Sequence, residues 1–128
     1  MRTSLTLTRL PGTFAIARAG ADAPVPAGIL DAPSFVTVSR TEDELSVVAH
    51  EALVGDLPRV DGGWACFKVH GPFEFSEVGI VARLSRALAD AGVGIFVIST
   101  FDTDYILVKE AQSEAAADAW RAQGHNVS

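Results

Sequence analysis

The run Ser-Glu-Val-Gly-Ile at positions 76–80, and Asp104 two residues after the turn residue Asp102, are the groups best suited to hold a small molecule. An aspartate carboxylate makes charge-assisted hydrogen bonds to an ammonium, and a bidentate pair with a guanidinium is stronger still. Ser76 is a good helix N-cap, and a helix start offers unpaired N–H groups and the positive end of the helix dipole to a ligand carboxylate. Gly79, without a Cβ, would let that ligand come close to the first turn. Plainer roles are open for each residue. Ser76 can simply cap, Gly79 can allow helix and sheet to pack closely, Glu77 can answer the helix dipole, and Asp102 is a common turn residue.

Other reactive side chains do not form a catalytic pattern. His50, His70 and His125 are far apart and lack a His-Glu-x-x-His spacing, so no metal site is expected. His70, before Gly71-Pro72, is expected to make a local turn contact. Cys66 alternates with Ala65 and Phe67 in a strand-like run, which favours an inert buried thiol. Phosphate-cradling glycine loops and the nucleophile elbow are absent, and no cofactor is implied. Glu74, Glu77, Asp102 and Asp104 cannot be read as an acid–base pair, since sequence sets no distance between them. The chain is therefore expected not to be an enzyme.

The elements that must position these residues are clearest in the second half. Residues 64–69 are a strand ended by His70-Gly71-Pro72. Val78, Ile80, Val81, Leu84, Ala87, Leu88 and Ala91 follow at helical spacing, with Gly92 as the stop. The apolar run 94–100 suits a central strand, Asp102-Thr103 a two-residue turn, and 105–108 the returning strand. Residues 113–123 form an Ala-rich helix with Ala117 and Trp120 inward, and Gly124 stops it. Trp64 and Trp120 read as packing residues. Phe101 is either a ligand wall or, as an aromatic at a strand end, part of the core.

The first half reads as short strands. Leu5 and Leu7 share a face, Leu10-Pro11-Gly12-Thr13 makes a hairpin-like turn, and 13–19 alternates again. Residues 20–34 form a surface loop, 35–39 a strand, and Thr41-x-x-Glu44 matches a capping box that would start one helical turn. Residues 45–49 are extended, and 55–63 form a joint between halves. The second half gives βαββα, five of six elements of a ferredoxin-like unit. Residues 126–128 are too few for the sixth, so a strand of the first half should supply it.

The segment 64–110 carries a resemblance. Gly71-Pro72-Phe73-Glu74-Phe75-Ser76-Glu77-Val78-Gly79-Ile80, then 88–96 and 98–108, resembles an ACT domain. It is most similar to short bacterial ACT-like proteins related to aspartate-kinase regulatory domains and to the animal arginine sensors. Residues 35–48 resemble the first lobe of those proteins. The resemblance implies an α+β, ferredoxin-like (ACT-like) sandwich of two small fused lobes, 1–60 and 61–128, with antiparallel sheets and helices on one face. It implies an amino acid bound at a lobe or subunit interface, and side-by-side pairing into a homodimer. It also implies a ligand site of Ser76, Glu77, Val78, Gly79, Ile80, Thr100, Phe101, Thr103 and Asp104, with Asp104 taking the cationic end of the ligand. A structural or protein-interaction module with the same fold and no bound metabolite is the other reading.

Composition narrows the classes further. A hydrophobic fraction of 48% with 20% charged residues is globular, and 128 residues can bury a core unaided. The net charge of −6, with scattered basic residues, argues against nucleic acid as a partner. One cysteine allows no internal disulfide, and neither a signal-like nor a membrane-length apolar run is present. A cytoplasmic, membrane-free location is the expectation.

Overall fold

The elements follow one another as β1 (Thr6–Arg9), β2 (Phe14–Ala19), a 3-10 turn (Ile29–Asp31), β3 (Thr37–Arg40), β4 (Leu45–His50), α1 (Glu51–Val54), β5 (Arg59–Val69), α2 (Ile80–Asp90), β6 (Phe96–Ser99), β7 (Asp104–Lys109), a 3-10 turn (Glu110–Gln112), α3 (Ser113–Ala122) and β8 (Asn126–Val127). This computed structural model describes residues 4–70 and 79–128. Two compact units result: Gly12–Trp64, and the described residues up to Pro11 together with those of Ala65–Ser128. The architecture is α+β. No helix among the described residues is long and apolar enough to cross a membrane.

In the C-terminal unit the strands run in the order β8-β1-β5-β7-β6. β1 is the first-half strand that completes it, antiparallel to β5 with Leu7 opposite Val69. The last residues do form a strand, contrary to expectation. β8 lies parallel to β1, with Leu7 opposite Val127, and is fixed by Asn126 N–H to the Leu5 carbonyl (2.8 Å) and Ser128 N–H to the Leu7 carbonyl (3.0 Å). Two residues suffice because α3 delivers them directly onto β1. A second correction concerns the apolar run 94–100. β6 pairs only with β7 among the described strands, so it is an edge, and Phe96, Val97 and Ile98 are half-buried. β7 has partners on both sides, and its Ile106, Leu107 and Val108 are fully buried.

One face of these strands makes the core. Leu5, Leu7, Ala65, Phe67, Val69, Ile106 and Val108 alternate along their strands and pack on Ile80, Leu84 and Leu88 of α2 and Ala116 and Trp120 of α3. The α2 residues recur at i, i+4 and i+8, the stripe that lets a helix lie flat on a sheet. Both helices therefore cover the same face. Trp120 meets Phe67 edge to face at 5.2 Å, and its Nε1–H donates to the Leu84 carbonyl at 3.1 Å, so the large ring is buried without orphaning its polar atom. α2 ends at Gly92 as expected, with Val93 N–H reaching back to the Leu88 carbonyl at 2.8 Å.

In the unit Gly12–Trp64, β3, β4, β2 and the first part of β5 lie side by side. Ala15, Ala17, Ala19, Leu45, Val47 and Ala49 face one core with Ile29 and Val54. Three local expectations change here. Residues 10–13 do not join a hairpin: β1 pairs with residues 67–69 of β5, and β2 pairs with β4 and with residues 59–64. Thr41-x-x-Glu44 starts no helix. The Thr41 hydroxyl accepts the N–H groups of Asp43 and Glu44 at 3.1 Å each, and this closes the β3–β4 hairpin. A Thr oxygen bonds the next N–H groups equally well in a turn and at a helix start. Finally, 59–63 is strand, not joint. The register against β2 shifts between Phe14 and Ile16, opposite Gly62 and Gly63, and the Glu51 carboxylate accepts the Gly63 N–H at 2.6 Å.

Candidate functional site

The turn between β6 and β7 is built by threonines. Ser99 faces Asp104 across the two strands, so the tip of the turn is Phe101–Asp102 and not Asp102–Thr103. Thr100 N–H donates to the Thr103 carbonyl at 2.8 Å, and the Thr100 hydroxyl donates to that same carbonyl at 3.0 Å. Thr103 is buried, and its hydroxyl donates to the carbonyl of Val69, the last residue of β5. One side chain thus pins the turn to the end of the neighbouring strand, immediately before the chain leaves toward α2.

Asp104, half-buried, points one carboxylate oxygen at the Ser99 hydroxyl, which donates to it at 2.5 Å. That bond fixes the carboxylate beside the turn and leaves it further lone pairs for a cation. Asp102 is exposed at the tip. Phe101 is 78% exposed, so it is not the core residue that its strand-end position suggested.

At the start of α2, Gly79 occupies the N-cap position with φ +83°, and no side chain caps the helix among the described residues. A Cβ built on Gly79 would meet no described residue within 4 Å. Close packing on the described residues therefore does not explain this glycine; its left-handed backbone does. The Gly79 carbonyl accepts the Arg83 N–H at 2.8 Å, the first bond of the helix. Ile80 is buried in the core, so only its backbone is positioned to face a ligand.

Of the residues read from sequence, Thr100, Phe101, Thr103 and Asp104 are thus gathered in one turn, and Gly79 and Ile80 form the helix start. No described hydrogen bond joins the two groups. Ser76, Glu77 and Val78, with the expected capping role of Ser76, lie outside the described residues. Sequence reading missed Ser99 and Val69. The signal for Ser99 was its spacing of five from Asp104, which places them opposite each other once the tip is set at 101–102.

Cys66, His125 and His70 make structural contacts. Cys66 is fully buried, and burial pushes its thiol up to about 12, as suits an inert side chain. His125 is buried; its Nδ1 accepts the Leu5 N–H at 3.0 Å, and burial, then the nearby Arg83 charge, lowers its pKa. The turn after His70, where a local contact is expected, lies outside the described residues. The His70 Nε2 pairs with the Thr8 hydroxyl at 2.7 Å on the neighbouring strand β1. Among the described residues no three His, Cys, Asp or Glu side chains are grouped to hold a metal ion.

Comparison with known proteins bears on both units. The family model of the ACT domain matches residues 59–121, and a second model, of an N-terminal domain, matches residues 12–56. A protein from Agobacterium tumefaciens with a crystal structure is 42% identical over 99% of this chain and 94% of its own, with a TM-score of 0.86. The ligand-free regulatory subunit of aspartate kinase from Thermus thermophilus is 14% identical (TM-score 0.64), over 93% of this chain and 98% of that one. Aspartate kinase from Clostridium acetobutylicum is 13% identical (TM-score 0.63), over 91% of this chain and 33% of its own. At such identities the kinase structures speak for the fold alone. With strand order, helix placement and family match in agreement, the chain belongs to the ACT-domain family.

Proposed function

We propose that this protein is a non-catalytic, small-molecule-binding regulatory module whose ligand is an amino acid, held at the loop end of the C-terminal unit. In this reading Gly79 and the backbone N–H groups of the first turn of α2 take the ligand carboxylate. Asp104 takes an ammonium or guanidinium, with Thr100 and Phe101 beside it, and Ser76, Glu77 and Val78 complete the site. Thr103 and Ile80 act as supports, one through its bond to Val69 and the other through the core. A second copy of the chain closes the site in a homodimer, so that occupancy biases one arrangement over another.

The observation that carries this reading is the pinned turn: a carboxylate held by Ser99 on a loop that Thr103 ties to the end of β5. Fixing the acceptor before the ligand arrives lowers the ordering cost of binding. The regulatory character of the aspartate kinase subunits that share this fold supports it further.

The test is a thermal-shift screen of the full chain against the standard amino acids, with calorimetry on each hit. A ligand at about a hundred times its Kd adds roughly 2.7 kcal/mol. Asp104→Ala should then weaken the hit at least about tenfold, the loss of one charge-assisted contact, with little change in stability of the free protein. A variant that keeps full affinity rules out the contact. If no amino acid shifts the protein, the 78% exposure of Phe101 favours the other reading, a protein-interaction module.

A further inference from the structure

The second unit carries a cleft of about 350 Å³ on the sheet face opposite its core, lined by Ile16, Arg18, Glu44, Ser46, Arg59 and Asp61. Strand alternation puts them there. Ala15, Ala17 and Ala19 of β2 face the core, so Ile16 and Arg18 face out. The register then sets Arg18 directly between Ser46 of β4 and Arg59 of β5, with Asp61 opposite Ile16. Two arginines are thus direct cross-strand neighbours, a pairing that like charge disfavours.

The surroundings answer only one of the two. Arg18 is tied from the β4 side: its Nε lies 3.7 Å from the Glu44 carboxylate, and its Nη2–H donates to the Asp43 carbonyl at 3.1 Å. Arg59, on the other side of Arg18, is exposed and held by no ion pair to a described residue. Its guanidinium stands beside an oriented one, with the Ser46 hydroxyl in the same row. Glu44 and the Asp43 carbonyl take up Nε and Nη2 of Arg18 and leave its Nη1, the Arg59 fork and the Ser46 hydroxyl as donors about one space, an arrangement that an oxyanion satisfies. Ile16 supplies an apolar floor, and Asp61 bounds the cleft on β5, so the anion must be compact.

We infer that this sheet face binds a small oxyanion, a carboxylate or phosphate group bridging Arg18 and Arg59. The site lies wholly within residues 16–61 and does not depend on the amino-acid reading above. An NMR titration of the full ¹⁵N-labelled chain with inorganic phosphate and with succinate, each against sodium chloride at matched ionic strength, tests it. Saturable shifts confined to amides of residues 16–18, 46 and 59–61 are expected with at least one probe, and the responding probe identifies the anion class. Arg59→Gln and Arg18→Gln should each weaken that binding about tenfold, the usual scale of one lost charge-assisted contact. Asp104→Ala should leave it unchanged. The inference is overturned if chloride reproduces the shifts, if neither probe saturates, or if Arg59→Gln binds as the parent does.

Discussion

Gly12 and Gly79 offer a matched pair for separating backbone strain from packing. Both are left-handed, with φ +85° and +83°. A Cβ at Gly79 would meet no described residue within 4 Å, whereas one at Gly12 would lie 2.6 Å from His50 Cε1 and 2.8 Å from His50 Nδ1. Gly79→Ala should therefore cost only the left-handed penalty, about 1–2 kcal/mol, partly offset by the roughly 0.4–1 kcal/mol that alanine gains by restricting the unfolded chain. The net is about 1 kcal/mol. Gly12→Ala adds displacement of the His50 ring from its stack on Phe14, where the ring centres lie 4.3 Å apart. Such ring pairs contribute about 0.5–1.5 kcal/mol, which brings the Gly12 variant to about 2 kcal/mol. Urea unfolding of both variants, with and without His50→Ala, forms a double-mutant cycle. In the His50→Ala background the Gly12 penalty should fall to that of Gly79. Equal penalties in the parent background, or a Gly79 penalty above about 3 kcal/mol, would refute the assignment of Gly79 to backbone conformation alone.

Three further outcomes follow from named contacts. His125 has a pKa below its unfolded value of about 6.5, so its stabilising effect is present above about pH 6.5 and is lost as pH falls toward the folded pKa. The stability difference between the parent and His125→Asn should shrink over that window in paired unfolding curves. Cys66, buried with a thiol near 12, should react with a thiol reagent at pH 8 only as fast as the protein opens, and label at once in denaturant. Thr103→Val keeps the shape but leaves the Val69 carbonyl without its hydroxyl partner. It should cost about 1–3 kcal/mol in unfolding, and a hit from the amino-acid screen should bind it more weakly than the parent.

Periodicity made the helices and the core legible. Ile80, Leu84 and Leu88, or Ala117 and Trp120, can be buried together only on a helix, and alanines alternating from Ala15 to Ala19 fit only a half-covered strand. Partner choice was not legible, because it depends on residues remote in sequence. Nothing local to Phe96-Val97-Ile98 says that β7 flanks them on one side only. Nor does Leu5-Thr6-Leu7 announce that it lies between β5 and the last residues of the chain. The Thr41-x-x-Glu44 motif failed for a related reason. Its hydroxyl satisfies the N–H groups two and three residues on in either geometry, and the pairing of Thr37 through Arg40 with β4 decided for the hairpin.

The candidate site was legible to the same extent as its elements. Asp104 stood out by type, but its setting depends on where the turn tip falls, and a one-residue error there exchanges which side chains share a face. With the tip at Phe101–Asp102, Ser99 and Asp104 become cross-strand partners and Thr103 turns inward to Val69. Gly79 shows the complementary case, in which the structure gives the residue a backbone reason that its type alone did not. Absence of a Cβ suggested room for a ligand or for tight packing, and no described residue lies within 4 Å of where that Cβ would be. What remains is a glycine required by its backbone, exposed at the start of a helix whose first free N–H groups have no side-chain cap among the described residues. A helix start of that kind presents N–H donors, and the turn after β6 holds an oriented carboxylate, Asp104, on the Ser99 hydroxyl. Under the proposed function these two elements would together select a ligand that carries both charges, and the amino-acid screen measures that selection directly.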